Sequence, residues 1–116
     1  MGGTVAGAIF INHGDNLIEN STIIGNRASN QGGGIFAANG QLKLVNSTIM
    51  SNGSRQGAGL AIREDASVIL STNLIANNNS NLIKGDVYGA VTSMGDNLIG
   101  NSEKGDGWFS TDLLDV

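Results

Sequence analysis

The chain reads as an all-β parallel solenoid. Three observations point there: two short motifs that recur in step every 24 to 27 residues, apolar residues with a two-residue period, and 18 glycines alongside no proline. One motif is Asn20-Ser21-Thr22-Ile23-Ile24-Gly25-Asn26. It returns as Asn46-Ser47-Thr48-Ile49-Met50-Ser51-Asn52, more loosely as Thr72-Asn73-Leu74-Ile75-Ala76-Asn77-Asn78, and in short form as Asn97-Leu98-Ile99-Gly100-Asn101. The other is Gly7-Ala8-Ile9-Phe10-Ile11, followed by Gly33-Gly34-Ile35-Phe36-Ala37, Ala58-Gly59-Leu60-Ala61-Ile62 and Gly85-Asp86-Val87-Tyr88-Gly89. Motifs that advance together define a repeating unit, and a period of this size marks stacked units.

Each unit opens with a strand. Ile9 and Ile11, Ile35 and Ala37, and Leu60 and Ile62 share one face, while Phe10, Phe36 and Ala61 take the other. A polar corner follows, as Asn12-His13-Gly14-Asp15, Ala38-Asn39-Gly40 or Arg63-Glu64-Asp65-Ala66. The second strand carries Ile18 beyond Asn16, then Leu42 with Leu44, then Val68 with Leu70. The third lies inside the Asn-Ser-Thr-Ile motif. No helical period survives, and frequent glycine would be costly in a helix. A hairpin sheet would not return the same residue type at the same phase, whereas a coil stacked on its own copy does. The expectation is about four coils of roughly 26 residues with three short strands each, near 6–31, 32–57, 58–84 and 85–101. Residues 102–116 are expected to form an irregular end segment, with Trp108-Phe109 packed on the last coil.

Stacking explains the composition. Equivalent residues of successive coils lie ~4.8 Å apart, so Ile23, Ile49, Ile75 and Ile99 form one inward ladder and Ile9, Ile35, Leu60 and Val87 another. Each buried aliphatic side chain contributes ~2 kcal/mol. Asn26, Asn52 and Asn78 fall at one corner, where Asn tolerates left-handed backbone and its amide reaches the copies above and below. Proline is missing because a strand paired on both edges needs its N–H. With no Cys and one His, no thiolate or His-cluster metal site is expected, and none with a cofactor. A net charge of −4 and 14% charged residues argue against a nucleic-acid partner, and no apolar run is long enough for a membrane helix.

The pairing of Gly32-Gly33-Gly34-Ile35-Phe36 with Asn46-Ser47-Thr48-Ile49-Met50-Ser51-Asn52 resembles the right-handed parallel β-helix repeats of large bacterial surface proteins. Related motifs occur in chlamydial polymorphic outer membrane proteins, although Ile23, Ile49 and Ile75 stand where those repeats carry Phe. The stretch Asp86 to Gly100 is similar to the last coil of secreted β-helix proteins with a C-terminal anchor region. The resemblance implies a right-handed coil, a pectate lyase-like fold, an extracellular or cell-surface location, and a chain that is a slice of something longer. The function it implies is a non-catalytic structural or adhesive segment. The alternative is the non-catalytic flank of a polysaccharide lyase or glycoside hydrolase whose active site lies elsewhere.

For binding, Phe10, Phe36 and Tyr88 form an outward column, interrupted at Ala61, that together with Arg63 suits sugar rings; the structural reading, which is preferred, is that flanking loops or other parts of a longer chain cover it. Corner charges gather as His13 with Asp15 and, two coils on, Glu64 with Asp65. That separation is ~10 Å, too wide for a shared metal and marginal for a general acid and base pair, so no catalytic residue is assigned. Asp86, Asp96, Asp106, Asp112 and Asp115 read as a solvated acidic end. The expected partners are carbohydrate or a host or matrix surface, with end-to-end self-association of open coils as a further expectation.

Overall fold

The computed structural model describes residues 7–83 and 85–115. The first turn consists of β1 (Ile9–Ile11), β2 (Asp15–Glu19) and β3 (Thr22–Ile24). The second holds β4 (Ile35–Ala37), β5 (Gly40–Val45), β6 (Thr48–Met50) and β7 (Gly53–Gln56). The third holds β8 (Leu60–Ile62), β9 (Ala66–Ser71), β10 (Leu74–Ala76) and β11 (Asn79–Ile83). A shorter fourth turn has β12 (Val87–Ala90), β13 (Thr92–Ser93) and β14 (Leu98–Ile99), and β15 (Gly105–Asp106) and β16 (Leu113–Leu114) begin another. All pairings are parallel and join equivalent strands of adjacent turns. The first sheet runs β1-β4-β8-β12-β15, the second β2-β5-β9-β13, and the third β3-β6-β10-β14-β16.

The register is the predicted one. Ile9, Ile35, Leu60 and Val87 stand in one column, and Ile23, Ile49, Ile75, Ile99 and Leu114 in another. The second sheet adds Ile18, Leu44 and Leu70. Most of these side chains are fully buried in one continuous core. Two features differ from expectation. A fourth strand position exists, because β7 pairs with β11 after the Asn corner; its polar sequence Gly53-Ser54-Arg55-Gln56 has no apolar alternation to announce it. Residues 102–115 are not wholly irregular, since β15 and β16 extend the first and third sheets. Trp108 and Leu114 pack against the core there, while Phe109 stays exposed.

The corners show why the Asn-Ser-Thr-Ile motif repeats as a block. Left-handed backbone occurs not at Asn26, Asn52 and Asn78 but one residue earlier, at Gly25 (φ 75°), Ser51 (φ 57°) and Asn77 (φ 58°). The Asn that follows turns inward. Asn52 Oδ1 accepts the Asn26 N–H at 2.9 Å, Asn78 Oδ1 accepts the Asn52 N–H at 2.9 Å, and Asn52 Nδ2 donates to the Ile23 carbonyl at 3.0 Å. The corner before the third sheet follows the same rule. Asn20, Asn46, Thr72 and Asp96 have positive φ, and Ser21, Ser47, Asn73 and Asn97 form the inward ladder. Corner, rung, three-residue strand, corner, rung is the physical content of the motif. Glycine is also required by close approach: a methyl on Gly34 would lie 2.6 Å from the Gly59 carbonyl oxygen of the next coil.

Asn52→Ala strands the Asn26 N–H, so it is expected to destabilise by about 2–3 kcal/mol, approaching the roughly 2–5 kcal/mol of Ile49→Ala. Gln41→Ala, at an exposed position of β5, should stay within about 0.5 kcal/mol. Urea unfolding of the three variants measures the contrast.

Candidate functional site

Column register places Phe10, Phe36, Ala61 and Tyr88 one above another on the outer face of the first sheet. Phe10 and Phe36 stack with ring centroids 5.6 Å apart and planes 28° apart. The column is not an open aromatic platform. Phe36 is only 3% exposed and Ala61 only 1%, because the chain entering each strand folds back over it. Gly57 is part of that cover: a methyl there would lie 2.7 Å from the Tyr88 Cβ and 3.0 Å from the Ala61 Cβ. Phe10 remains 49% exposed and Tyr88 half-buried.

What the fold builds instead is a depression of about 250 Å³ beside this column. Phe36, Ala61 and Ile62, all buried, lie beneath it, and Gln31, Tyr88 and the corner Arg63, Glu64 and Asp65 complete the lining. Thus Phe36, Tyr88 and Arg63 meet Glu64 and Asp65 in one place, joining two sets that the sequence kept apart. Phe10, His13 and Asp15 are not part of it. The pairing of Asp15 with Gln41 and of Gln41 with Ser67 leaves the first-turn charges two coils from Asp65, ~9.6 Å at the strand spacing. Gln31 was missed by motif reading. Its signal was Gln56, 25 residues on, whose Oε1 accepts from Gln31 Nε2 at 2.6 Å.

Chemically, the depression offers a guanidinium, two carboxylates, a phenol and an amide around a small apolar floor. Such a set can bond hydroxyl groups as donors and acceptors alike. Glu64 and Asp65 are adjacent on one exposed corner, whereas hydrolysis of a glycosidic bond needs carboxyl groups facing each other across it. Among the described residues, no group of three His, Asp or Glu side chains could hold a metal ion.

Residues 6–110 match the family model for the right handed beta helix region. The chain belongs to the right-handed β-helix family. A search of the curated proteins and of the solved structures finds no significant match. The match spans nearly all of the repeat and supports the expected handedness.

Two of the five aspartates of this β-helix, Asp86 and Asp112, depart from the solvated acidic end that composition suggested, whereas Asp96, Asp106 and Asp115 are exposed. Asp86 is 3% exposed and receives both ends of an interrupted ladder. Its Oδ1 accepts from Asn78 N and Nδ2, each at 2.8 Å, and its Oδ2 from Asn101 N at 2.8 Å. Burial pushes its carboxyl above the usual carboxylate range, with the Asn78 and Asn101 hydrogen bonds pulling the other way. Asp112 ends the other ladder, accepting from Asn97 N, Asn97 Nδ2, Ser93 Oγ and Phe109 N at 2.6 to 3.0 Å. Desolvation raises its pKa, but bonds from Ser93, Phe109 and Asn97 outweigh that and hold it below the ordinary value.

A depressed folded pKa means that Asp112 stabilises the fold above the unfolded value near ~3.9 and loses that contribution as pH falls through the folded value. Asp112→Asn is therefore expected to cost about 1–2 kcal/mol at neutral pH, allowing for its partial solvation, with the difference from the parent protein shrinking below pH ~4. For Asp86 the sign reverses, and its contribution declines as pH rises from the unfolded value. Urea titrations of parent and Asp112→Asn between acid and neutral pH test the Asp112 assignment.

Proposed function

We propose that this chain is a stiff, non-catalytic segment of an extracellular or cell-surface β-helix protein, and that it contacts carbohydrate through the depression on the first sheet. The supporting observation is the meeting of Tyr88, Arg63, Gln31, Glu64 and Asp65 around one concave, partly apolar floor. Sugars present ring C–H faces together with hydroxyls that both donate and accept, and this lining answers both. The non-catalytic part is supported by the arrangement of the acids: Glu64 and Asp65 share one solvated corner, so neither is poised opposite the other across a bond. A solenoid with uniform parallel pairing is a natural spacer, holding its surface features at fixed intervals along an axis.

A glycan array screened with the intact chain should yield carbohydrate ligands. Tyr88→Ala and Arg63→Ala should each weaken binding of the best ligand by roughly 5- to 30-fold, the loss of about 1–2 kcal/mol of contact. Binding indifferent to both substitutions would remove the depression from recognition. Release of new reducing ends from the bound polymer would overturn the non-catalytic reading.

A further inference from the structure

The chain contains two Asn-Gly pairs, Asn39-Gly40 and Asn52-Gly53, and the fold treats them in opposite ways. Asn before Gly is open to self-attack, because a following residue without a Cβ leaves its backbone nitrogen accessible to the side-chain carbonyl. Asn39 is exposed on the corner between β4 and β5, outside any strand. Its Oδ1 accepts the Gly40 N–H at 2.9 Å, so Cγ, one bond from that oxygen, is held beside the nitrogen that attacks it. Among the described residues, no hydrogen bond restrains the Asn39 Nδ2 that has to leave. Gly40 is itself required by the corner: its φ is 85°, and a methyl there would lie 2.7 Å from the His13 carbonyl carbon of the preceding coil.

Asn52 is the reverse case. It is 1% exposed, its Oδ1 accepts from Asn26 N and Nδ2 at 2.9 and 3.1 Å, and its Nδ2 donates to the Ile23 carbonyl and to Asn78 Oδ1, each at 3.0 Å. The Gly53 N–H donates to the Asn26 carbonyl at 2.8 Å. Both the attacking nitrogen and the leaving amide are therefore tied into the preceding and following coils.

We propose that Asn39 is a self-modifying site that converts to aspartate and isoaspartate in the folded protein, while the corner ladder protects Asn52. Hydroxide removes the Gly40 N–H proton, the nitrogen bonds to Asn39 Cγ, and the Cγ–Nδ2 bond breaks as water returns a proton to the departing ammonia. The product is a five-membered cyclic imide. One water opens it, at the Cγ carbonyl to give aspartate or at the main-chain carbonyl to give isoaspartate, whose main chain runs through Cβ and Cγ. Either product adds one negative charge to a chain of net charge −4. That charge has a defined place. Gly40 pairs with Ala66 and Asp15 with Gln41, so position 39 stands between His13 and Asp65, ~4.8 Å from each along the axis. The new carboxylate joins Glu64 and Asp65 at the border of the first-sheet depression. The extra main-chain carbon of isoaspartate falls in a connection, where no ladder is interrupted. Asp106-Gly107 has the same turn, Asp106 Oδ1 accepting the Gly107 N–H at 2.9 Å, but its rearrangement leaves the charge unchanged.

The test incubates the intact chain in mildly alkaline buffer, folded and in guanidinium chloride. Peptide mapping follows both positions, and isoaspartyl methyltransferase labelling separates the two products. In guanidinium both pairs should convert, which sets the unprotected rates. Folding should slow position 52 at least tenfold, because conversion there waits for an opening that breaks the ladder. In the folded chain, position 39 should convert at least tenfold faster than position 52, with isoaspartate among its products. Ion exchange should show an acidic species that Asn39→Ser, which keeps a short polar side chain at the corner, suppresses; thermal unfolding checks that this variant is folded. The proposal is overturned if neither pair converts in guanidinium, or if position 39 of the folded chain is as slow as position 52. Equal rates at position 52 with and without guanidinium also overturn it, as does an acidic species that accumulates in Asn39→Ser at the parent rate.

Discussion

At each of two corners, a backbone N–H of one turn points toward the next turn, and a side-chain oxygen there accepts it. The rest of the structure depends on that bond. A tight corner leaves its N–H without a strand partner, and burying it unpaired would cost about 1–3 kcal/mol at every turn. An inward Asn or Ser solves this only when the coil above carries its own polar residue at the same phase. The requirement locks the register, and the register in turn brings Ile onto Ile and Leu onto Leu inside. It also accounts for the left-handed residue just before each rung, which swings the chain so that the rung faces the interior.

An Asn ladder is directional, since each amide accepts from the coil before it and donates onward. A carboxylate cannot donate. Where the Asp86 side chain reaches the ladder from the start of the first-sheet strand, and where Asp112 takes the rung position itself, donors converge on the carboxylate and the ladder stops. The two acids titrate in opposite directions because the balance differs. Asp86 is the more deeply buried, so desolvation dominates, whereas half-buried Asp112 has more hydrogen-bond donors and remains easier to ionise. Trp108 and Leu114 cover the core beside these ladder ends, so polar and apolar closure occur in the same tail.

The outer surface follows from the same geometry. Strands of two to six residues leave few outward positions per turn, and what those positions become is decided by the connecting segments. On the first sheet, the returning chain at Gly57 covers Ala61, as the covered reading of the aromatic column anticipates, and leaves a bounded depression beside it. On the third sheet, the left-handed corner stands beside the outward Leu column and makes a trough. Neither concavity is coded by a local motif. Each arises where a corner of one turn meets the outward residue of another.

The sequence by itself determined the solenoid, its period, the inward Ile and Leu columns and the corner ladder of Asn26, Asn52 and Asn78, while the second ladder, through Ser21, Ser47, Asn73 and Asn97, emerged only in the structure. These are legible because stacking forces equivalent residues into identical environments, so the physical constraint is printed once per coil: Ile23, Ile49, Ile75 and Ile99 each meet the same neighbours. The candidate site was legible only in pieces. Tyr88, Arg63, Glu64 and Asp65 were singled out, but not that they share one depression with Gln31. Only the tertiary structure decided that Phe36 is buried, that the β7 and β11 segments pair, and that Asp86 and Asp112 end the ladders. Those outcomes depend on how segments without apolar alternation cross over their neighbours, and such contacts leave no periodic trace along the chain.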